Sequence, residues 1–167
     1  MHGICITEKL SGTFNGADLV SVRYMAGSTP TAIDNGSVVE VGALEANSRE
    51  VRKATAPKKD SAKAAIALIA SPEVIYDEHL QNDLGNFENE ANVVSRGYLL
   101  EKPHQIFAVT GEVLDGSTAR IVGAVVELQN STKLLAAATN TQGSTKIGEI
   151  IEVFTKKGKT YYAIETC

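Results

Sequence analysis

A six-residue pattern occurs twice in the chain, 87 positions apart, and it constrains the fold more than any other feature. The copies read Gly36-Ser37-Val38-Val39-Glu40-Val41 and Gly123-Ala124-Val125-Val126-Glu127-Leu128. Each copy precedes a polar loop, a small-residue stretch that ends in Ala-Thr (52–55 and 136–139), and an aliphatic run (65–70 and 147–152). Consecutive valines after a glycine are typical of a strand that follows a turn. We therefore predict one β unit used twice, over about residues 33–70 and 120–166.

Short apolar segments separated by Gly, Asn and Asp recur along the chain, as in barrels and sandwiches. The predicted strands cover residues 19–25, 37–41, 50–55, 97–101, 105–110, 121–128, 133–139, 146–154 and 160–166. Residues 61–70 are ambiguous, because their alanines suit a helix and the two-residue spacing of Ile66, Leu68 and Ala70 suits a strand. Their place in the repeat favours a strand.

The predicted fold class is mainly β: a β-barrel or sandwich of two related β units, with a short helical excursion and an extended N-terminal arm. A chain of 167 residues can form one core. We expect a single β domain over residues 19–167, preceded by the arm at 1–18. The arm is either a frayed terminus or a segment that lies on a neighbouring subunit, and it carries four apolar residues for such a contact: Ile4, Ile6, Leu10 and Phe14.

Residues 71–96 form the excursion that interrupts the repeat. A weak helical spacing of Leu80, Leu84, Phe87 and Ala91 predicts a short helix or two within 77–91. The segment has no Lys or Arg between Lys63 and Arg96, and its candidate interaction residues are Asp77, Glu78, Asp83, Glu88 and Glu90. It is either a solvated acidic surface or a contact surface for a basic partner.

A basic segment at 49–63 mirrors the acidic one, with candidate interaction residues Arg49, Arg52, Lys53, Lys58 and Lys59. Opposite charges segregated on one small protein favour self-association or docking on a charged lattice. Two ordinary exposed edges are the alternative, since charge along a strand edge also blocks unwanted sheet pairing.

Composition excludes several function classes. A net charge of −4 and an aromatic content of 5% without Trp weigh against nucleic-acid binding and against aromatic sugar platforms. Apolar runs are too short to span a membrane, and the N-terminus lacks the apolar region of a secretory signal. We expect synthesis in a cytoplasm and reduced thiols at Cys5 and Cys167.

No motif predicts catalysis, a cofactor or a metal site. Gly158-Lys159-Thr160 matches the end of a phosphate-binding loop, but Val153 stands where that loop requires a glycine. We predict a hairpin turn there, with Gly158 in a left-handed conformation. The three histidines (His2, His79 and His104) lack zinc-ligand spacing, and no Gly-x-Ser-x-Gly elbow is present.

The second half of the chain is similar to the small β-barrels of tailed-bacteriophage head proteins. Its "Gly-small-Val-Val", "Lys-Leu-x-x-Ala" and "Ile-Gly-x-Ile" strands, which recur in capsid decoration proteins, are residues 123–126, 133–137 and 147–150. The first half resembles phage proteins produced alongside the major capsid protein, through residues 33–39, 70–78 and 97–100. The resemblance implies an auxiliary virion protein without enzymatic activity, which lies on the capsid surface and binds the major capsid protein.

The expected function is therefore decoration or cementing of a phage capsid lattice. One alternative is a head-fibre or tail structural protein that serves as a base for another chain. Another is a hydrolase or carbohydrate-binding domain, for which the candidates are Tyr76, Asp77 and Glu78. A homo-oligomer and a fibre protein remain alternative partners.

Overall fold

The computed structural model describes residues Met1–Cys167 and contains two β-sheets with little helix. Its strands are β1 (Cys5–Lys9), β2 (Leu19–Ala26), β3 (Thr29–Pro30), β4 (Val38–Leu44), β5 (Val51–Thr55), β6 (Ile66–Ile69), β7 (Ser95–Leu99), β8 (Ile106–Thr110), β9 (Leu114–Asp115), β10 (Val125–Glu127), β11 (Leu134–Ala137), β12 (Lys146–Lys156) and β13 (Lys159–Thr166). One short α-helix, α1 (Ser11–Phe14), follows β1. Single 3-10 turns lie at Gly16–Asp18, Lys63–Ala65, Leu84–Asn86 and Ser117–Ala119. The prediction of a mainly β fold is confirmed.

The first unit is a closed five-stranded barrel in the order β2-β5-β4-β6-β7. It closes because β2 pairs with β5 in parallel and with β7 in the antiparallel sense. Alternation along each strand directs five buried side chains inward to one cluster, which Ile33 completes: Val22, Val39, Ala54, Ala67 and Ile69. Closure leaves the barrel without free sheet edges along most of its length.

The second unit repeats this order of strands in the larger sheet, β8-β13-β12-β10-β11-β9, with β1 added beside β8. Two strands, β8 and β9, take the place of β2 in this unit. β8 is antiparallel to β13, as β2 is to β7, and β9 is parallel to β11, as β2 is to β5. Because β8 and β9 are consecutive in the chain, the sheet curls back on itself as the first barrel does. The correspondence thus reaches beyond the predicted ranges, to about residues 19–99 and 106–166.

The two copies of the repeated pattern have the same backbone geometry, which confirms the prediction of two related units. Gly36 and Gly123 adopt left-handed φ values of 86° and 87°. The Gly36 N–H donates to Ile69 O at 2.7 Å, and the Gly123 N–H donates to Ile150 O at 2.8 Å. In both copies the strand that follows pairs with the next two strands of its unit.

The repeated glutamate also has the same role twice. Glu40 Oε2 accepts a 2.5 Å hydrogen bond from the Ser61 hydroxyl, and Glu127 Oε2 accepts a 2.7 Å bond from the Thr141 N–H. Ser61 and Thr141 each lie five residues before the strand that pairs with this glutamate, β6 or β12. Each carboxylate therefore fixes the loop that enters β6 or β12.

The two units share one core. This explains why the first copy has apolar residues at two consecutive strand positions, Val38 and Val39, whose side chains point to opposite faces. Val39 points into the first barrel, whereas Val38 points outward and packs with the interior of the second unit. Leu68 of β6 and Leu100 after β7 join Val38 in this shared cluster. Both faces of β4 are therefore covered at this position, and the two units form one domain.

The N-terminal segment is part of the fold, so the expectation that Ile4 and Leu10 contact a neighbouring subunit is wrong. β1 pairs with β8, with Cys5 opposite Val109, and Ile4 and Leu10 are only 2% and 1% exposed. The partner strand lies about a hundred residues away, and no local pattern could reveal it. Ile6 is half-buried against the same sheet, and Phe14 in α1 remains 84% exposed.

Both cysteines are free thiols, one at each end of the chain. Burial raises the pKa of the Cys5 thiol, and the negative charge of Glu73 adds to this effect. The thiol is therefore protonated at neutral pH and behaves as a small apolar core residue. Cys167 is exposed.

The predicted strand at 61–70 is right for part of its length. Lys63–Ala65 form a 3-10 turn, and only Ile66–Ile69 form β6. The alanine-rich start thus takes helical geometry for one turn, and the aliphatic end takes the strand that the repeat predicts. The predicted strand at 121–128 is likewise shorter and covers only Val125–Glu127.

The equivalent glycines allow a matched test of the repeat. Alanine strains the left-handed backbone at either position, which costs about 1–2 kcal/mol. At Gly36 the added Cβ would also lie 2.8 Å from Val113 Cγ2, whereas at Gly123 it meets nothing within 4 Å. We expect Gly36→Ala to lower the free energy of unfolding by clearly more than Gly123→Ala, measured by urea denaturation. Equal losses would contradict the close packing of the first turn against Val113.

Candidate partner-binding groove

The excursion occupies a defined place in the duplicated fold. Residues 70–94 connect β6 to β7, whereas the corresponding strands β12 and β13 are joined directly by a hairpin. Lys157 and Gly158 form that hairpin turn with φ values of 50° and 75°, as predicted for Gly158. The excursion therefore replaces the outer end of a hairpin, and it is the main difference between the two units.

Two buried asparagines attach the excursion to the first barrel. Asn35 Oδ1 accepts from the Ser71 N–H and from Asn89 Nδ2, both at 3.0 Å. Asn35 Nδ2 donates to Ser71 O at 2.9 Å and to Glu73 Oε1 at 3.1 Å. All four hydrogen-bonding positions of this amide are used, although the side chain is fully buried.

Asn89 extends this network through its backbone. Its N–H donates to Ile33 O at 3.0 Å and its carbonyl accepts from the Ile33 N–H at 2.9 Å. Its side chain donates to Ile33 O and to Asn35 Oδ1. Neither asparagine is recognisable from the sequence as a structural residue, because the groups that they bond lie far away along the chain.

The far end of the excursion is tied to the N-terminus and to β13. The His2 N–H donates to Gly85 O at 2.9 Å, and Lys159 Nζ lies 3.1 Å from Asp83 Oδ1. The Gly85 N–H and then Lys159 lower the pKa of Asp83. Because this pKa is lower in the folded state, the stabilisation is present above the unfolded pKa, near 4, and is lost as pH falls through the folded value.

The helix predicted within 77–91 is wrong apart from one 3-10 turn, Leu84–Asn86. Asp83 begins that turn by accepting from the Gly85 N–H at 2.8 Å, and Gly85 weakens any longer helix. Leu80 and Leu84 are 43% and 47% exposed, so their spacing does not reflect a buried helix face. The apolar side chains of the excursion instead remain at its surface.

Several apolar side chains of the excursion line an open groove of about 680 Å³. Its wall contains Tyr76, which is 92% exposed, Val74, which is 56% exposed, and Val93, which is 50% exposed. Ile75, Leu80, Phe87 and Val94 complete the apolar part. A cluster of exposed apolar side chains on a small domain marks a surface for a binding partner.

The rim of the groove is acidic. Asp77, Glu88 and Glu90 line it, and all three are exposed. The other two predicted acidic residues lie outside the lining: Glu78 is exposed beside Asp77, and Asp83 pairs with Lys159. The structure thus brings three of the five acidic candidates to one apolar groove, which suits an apolar partner surface bordered by Lys or Arg.

The predicted basic residues form a separate surface. Arg49, Lys53, Lys58 and Lys59 are exposed, and Arg52 is half-buried with a hydrogen bond to Gly42 O. None of the ion pairs in the structure joins residues 49–63 to residues 71–96. The two charged segments therefore do not neutralise each other through ion pairs within one chain.

The loop that carries Lys58 and Lys59 has a structural role. The Lys59 N–H donates to Asn130 Oδ1 at 3.0 Å, and Lys59 O accepts from the Thr145 N–H at 2.7 Å. These bonds connect the loop of the first unit to the second unit. The two side chains remain exposed.

Tyr76, Asp77 and Glu78, the candidates for a hydrolase or sugar-binding site, lie together on an exposed turn of the excursion. Asp77 Oδ1 accepts from the His79 N–H at 2.9 Å, which orients the turn. Tyr76 and Asp77 border the groove.

Comparison of the chain with protein-family models, curated proteins and solved structures gave no match. No helix in the structure has the length and apolar character needed to cross a membrane.

We expect Asn35→Ala to release the excursion from the barrel. The change leaves the Ser71 N–H and C=O without their side-chain partner and removes one of the two acceptors of Asn89 Nδ2, which costs about 1–3 kcal/mol. Hydrogen exchange should become faster throughout residues 71–94. Asn82→Ala is the control, because Asn82 is an exposed asparagine of the same segment. Unchanged exchange in Asn35→Ala would show that the amide network does not hold the excursion.

Proposed function

We propose that the protein is a non-enzymatic decoration protein, which binds and stabilises a phage capsid lattice through the groove of the excursion. The observation that carries the proposal is an apolar, acid-rimmed groove on a segment inserted into one copy of a duplicated barrel. The resemblance of the repeated strands to capsid decoration proteins supports the same function. The partner would be the major capsid protein, and the protein would lie on the virion surface.

Tyr76 and Val74 are the residues that would contribute most of the binding free energy. Aromatic side chains that become buried at the centre of an interface commonly contribute more than 1 kcal/mol. Asp77 and Glu90 would face Lys or Arg on the capsid, steer the approach and oppose partners with an acidic surface. Such charge pairs make association weaker at high salt.

Repetition over a lattice would amplify modest contacts. The barrel holds the groove on a closed, hydrogen-bonded support, so little conformational entropy is lost when a partner binds. Where one chain contacts two capsid subunits, the second contact is intramolecular and gains from a high effective concentration. The basic residues of 49–63 do not line the groove and would provide a second contact of opposite charge.

A head-fibre or tail base is the second candidate, and one observation favours it. Ile121 and Val122 are 65% and 62% exposed at the turn that corresponds to Asp34 and Asn35. The excursion covers that turn in the first unit, and nothing in the chain covers its counterpart in the second. A fibre chain or another copy of this protein could bind there while the groove contacts the capsid.

The decoration function is tested with expanded capsids that lack the protein. We expect the wild-type chain to co-sediment with them and to raise their heat tolerance. Tyr76→Ser, and separately Asp77→Lys with Glu90→Lys, should weaken binding about tenfold or more, as expected for loss of an interface hot spot. Glu8→Lys is the control, because Glu8 is an exposed acid on β1, away from the groove.

Two results would contradict the proposal in different ways. Failure of the wild-type chain to bind capsids or to stabilise them would overturn the decoration function. If the groove variants bind capsids as strongly as the wild-type chain does, the decoration function stands but the groove is not its contact surface. Density on the tail or on head fibres in cryo-imaging would favour the second candidate.

A further inference from the structure

Three potential metal ligands from distant parts of the chain meet beside the excursion. His2 Nδ1 lies 2.8 Å from Asp34 Oδ1 and 3.7 Å from Glu88 Oε2. One ligand atom of each residue lies within 4.8 Å of the other two. The residues come from the N-terminus, the turn before β4 and the excursion, so no short spacing in the sequence could reveal the cluster.

Backbone contacts position these side chains independently of any ion. The Gly3 N–H donates to Asp34 Oδ2 at 2.9 Å, which orients the carboxylate and leaves Oδ1 directed at His2. The His2 N–H is held by Gly85 O, and the paired backbones of Ile33 and Asn89 bring Asp34 close to Glu88. The site is thus largely formed in the folded chain, as metal sites with an oriented outer shell are.

The charges and donor types suit a divalent cation. Two carboxylate oxygens and one imidazole nitrogen meet at the cluster. In a tetrahedral zinc site, bonds of about 2.0–2.2 Å place neighbouring ligand atoms roughly 3.3–3.6 Å apart. The two distances from His2 Nδ1, 2.8 Å and 3.7 Å, lie on either side of that separation.

We propose that His2 Nδ1, Asp34 Oδ1 and Glu88 Oε2 bind one transition-metal ion of the zinc class. The ion would replace the direct His2–Asp34 hydrogen bond, with the imidazole proton on Nε2 and the Gly3 N–H still bound to Asp34 Oδ2. Three protein ligands leave a fourth position for water. Imidazole and carboxylate donors favour Zn²⁺ or Cu²⁺ over Mg²⁺ or Ca²⁺, which prefer oxygen ligands alone.

Such an ion would connect the N-terminus, the first barrel and the excursion. Glu88 also lines the groove, so the ion would fix one side of the surface that the proposed function uses. The inference itself does not depend on capsid binding, because it concerns metal affinity of the isolated chain.

The test is calorimetric titration of the untagged, metal-free chain with zinc chloride alone, in a Cys167→Ser background that removes the exposed thiol. We expect one ion per chain, and at least tenfold weaker binding in His2→Ala and in Glu88→Gln. His79→Ala and Glu90→Gln are matched controls in the same segment and should bind as the parent does. Magnesium chloride should give no comparable binding.

Folding is checked by circular dichroism and by the thermal midpoint without metal. Both His2 and Glu88 are partly exposed, so these variants should fold normally. Absence of zinc binding by the parent would show that the cluster is an ion pair only and would overturn the proposal. Zinc binding that survives both ligand variants would overturn it as well, since the ion would then lie elsewhere.

Discussion

A buried amide pair, Asn35 with Asn89, determines how the excursion is attached to the first barrel. A buried asparagine without partners destabilises a fold by several kcal/mol, whereas a fully bonded one specifies a single arrangement of the segments that it joins. Asn35 meets this condition with four hydrogen bonds, all to groups of the excursion. The position of the groove therefore follows from the position of one side chain in the first copy of the repeat.

The second unit has the same fold without an asparagine network of this kind. Val122 occupies the position of Asn35, the turn keeps the same backbone bonds, and β12 continues into a plain hairpin. The same strand order occurs with either connection, and neither the strand pairing nor the shared core involves residues 71–94. An insertion at this place can thus acquire exposed apolar residues at little risk to the core, and loops on a rigid support commonly carry function for this reason.

The parts of the fold that were predictable from the sequence are those with local or repeated signals. The glycine turns, the strands β4, β5, β12 and β13, and the existence of two related units follow from residue patterns within each copy. β1 was not predictable, since its partner β8 is remote and its apolar residues are divided between two faces of one sheet. The helix assigned to the excursion failed because a leucine spacing indicates a buried face only where another element covers that face, and Leu80 and Leu84 have no such cover.

The candidate groove was likewise only partly predictable from local sequence patterns. Its acidic character was visible in the sequence, because charge is a property of single residues and survives any folding. Its apolar wall was not, since Val93 lies well beyond Val74 and Tyr76 in the chain and joins them in one surface only after Asn35 and Asn89 fold the excursion back onto the barrel. A free acidic loop could not present these residues together, because it buries too little apolar surface to offset its conformational entropy. A partner of the groove would meet a surface that the barrel has already ordered, so the geometry of the groove depends on the amide pair.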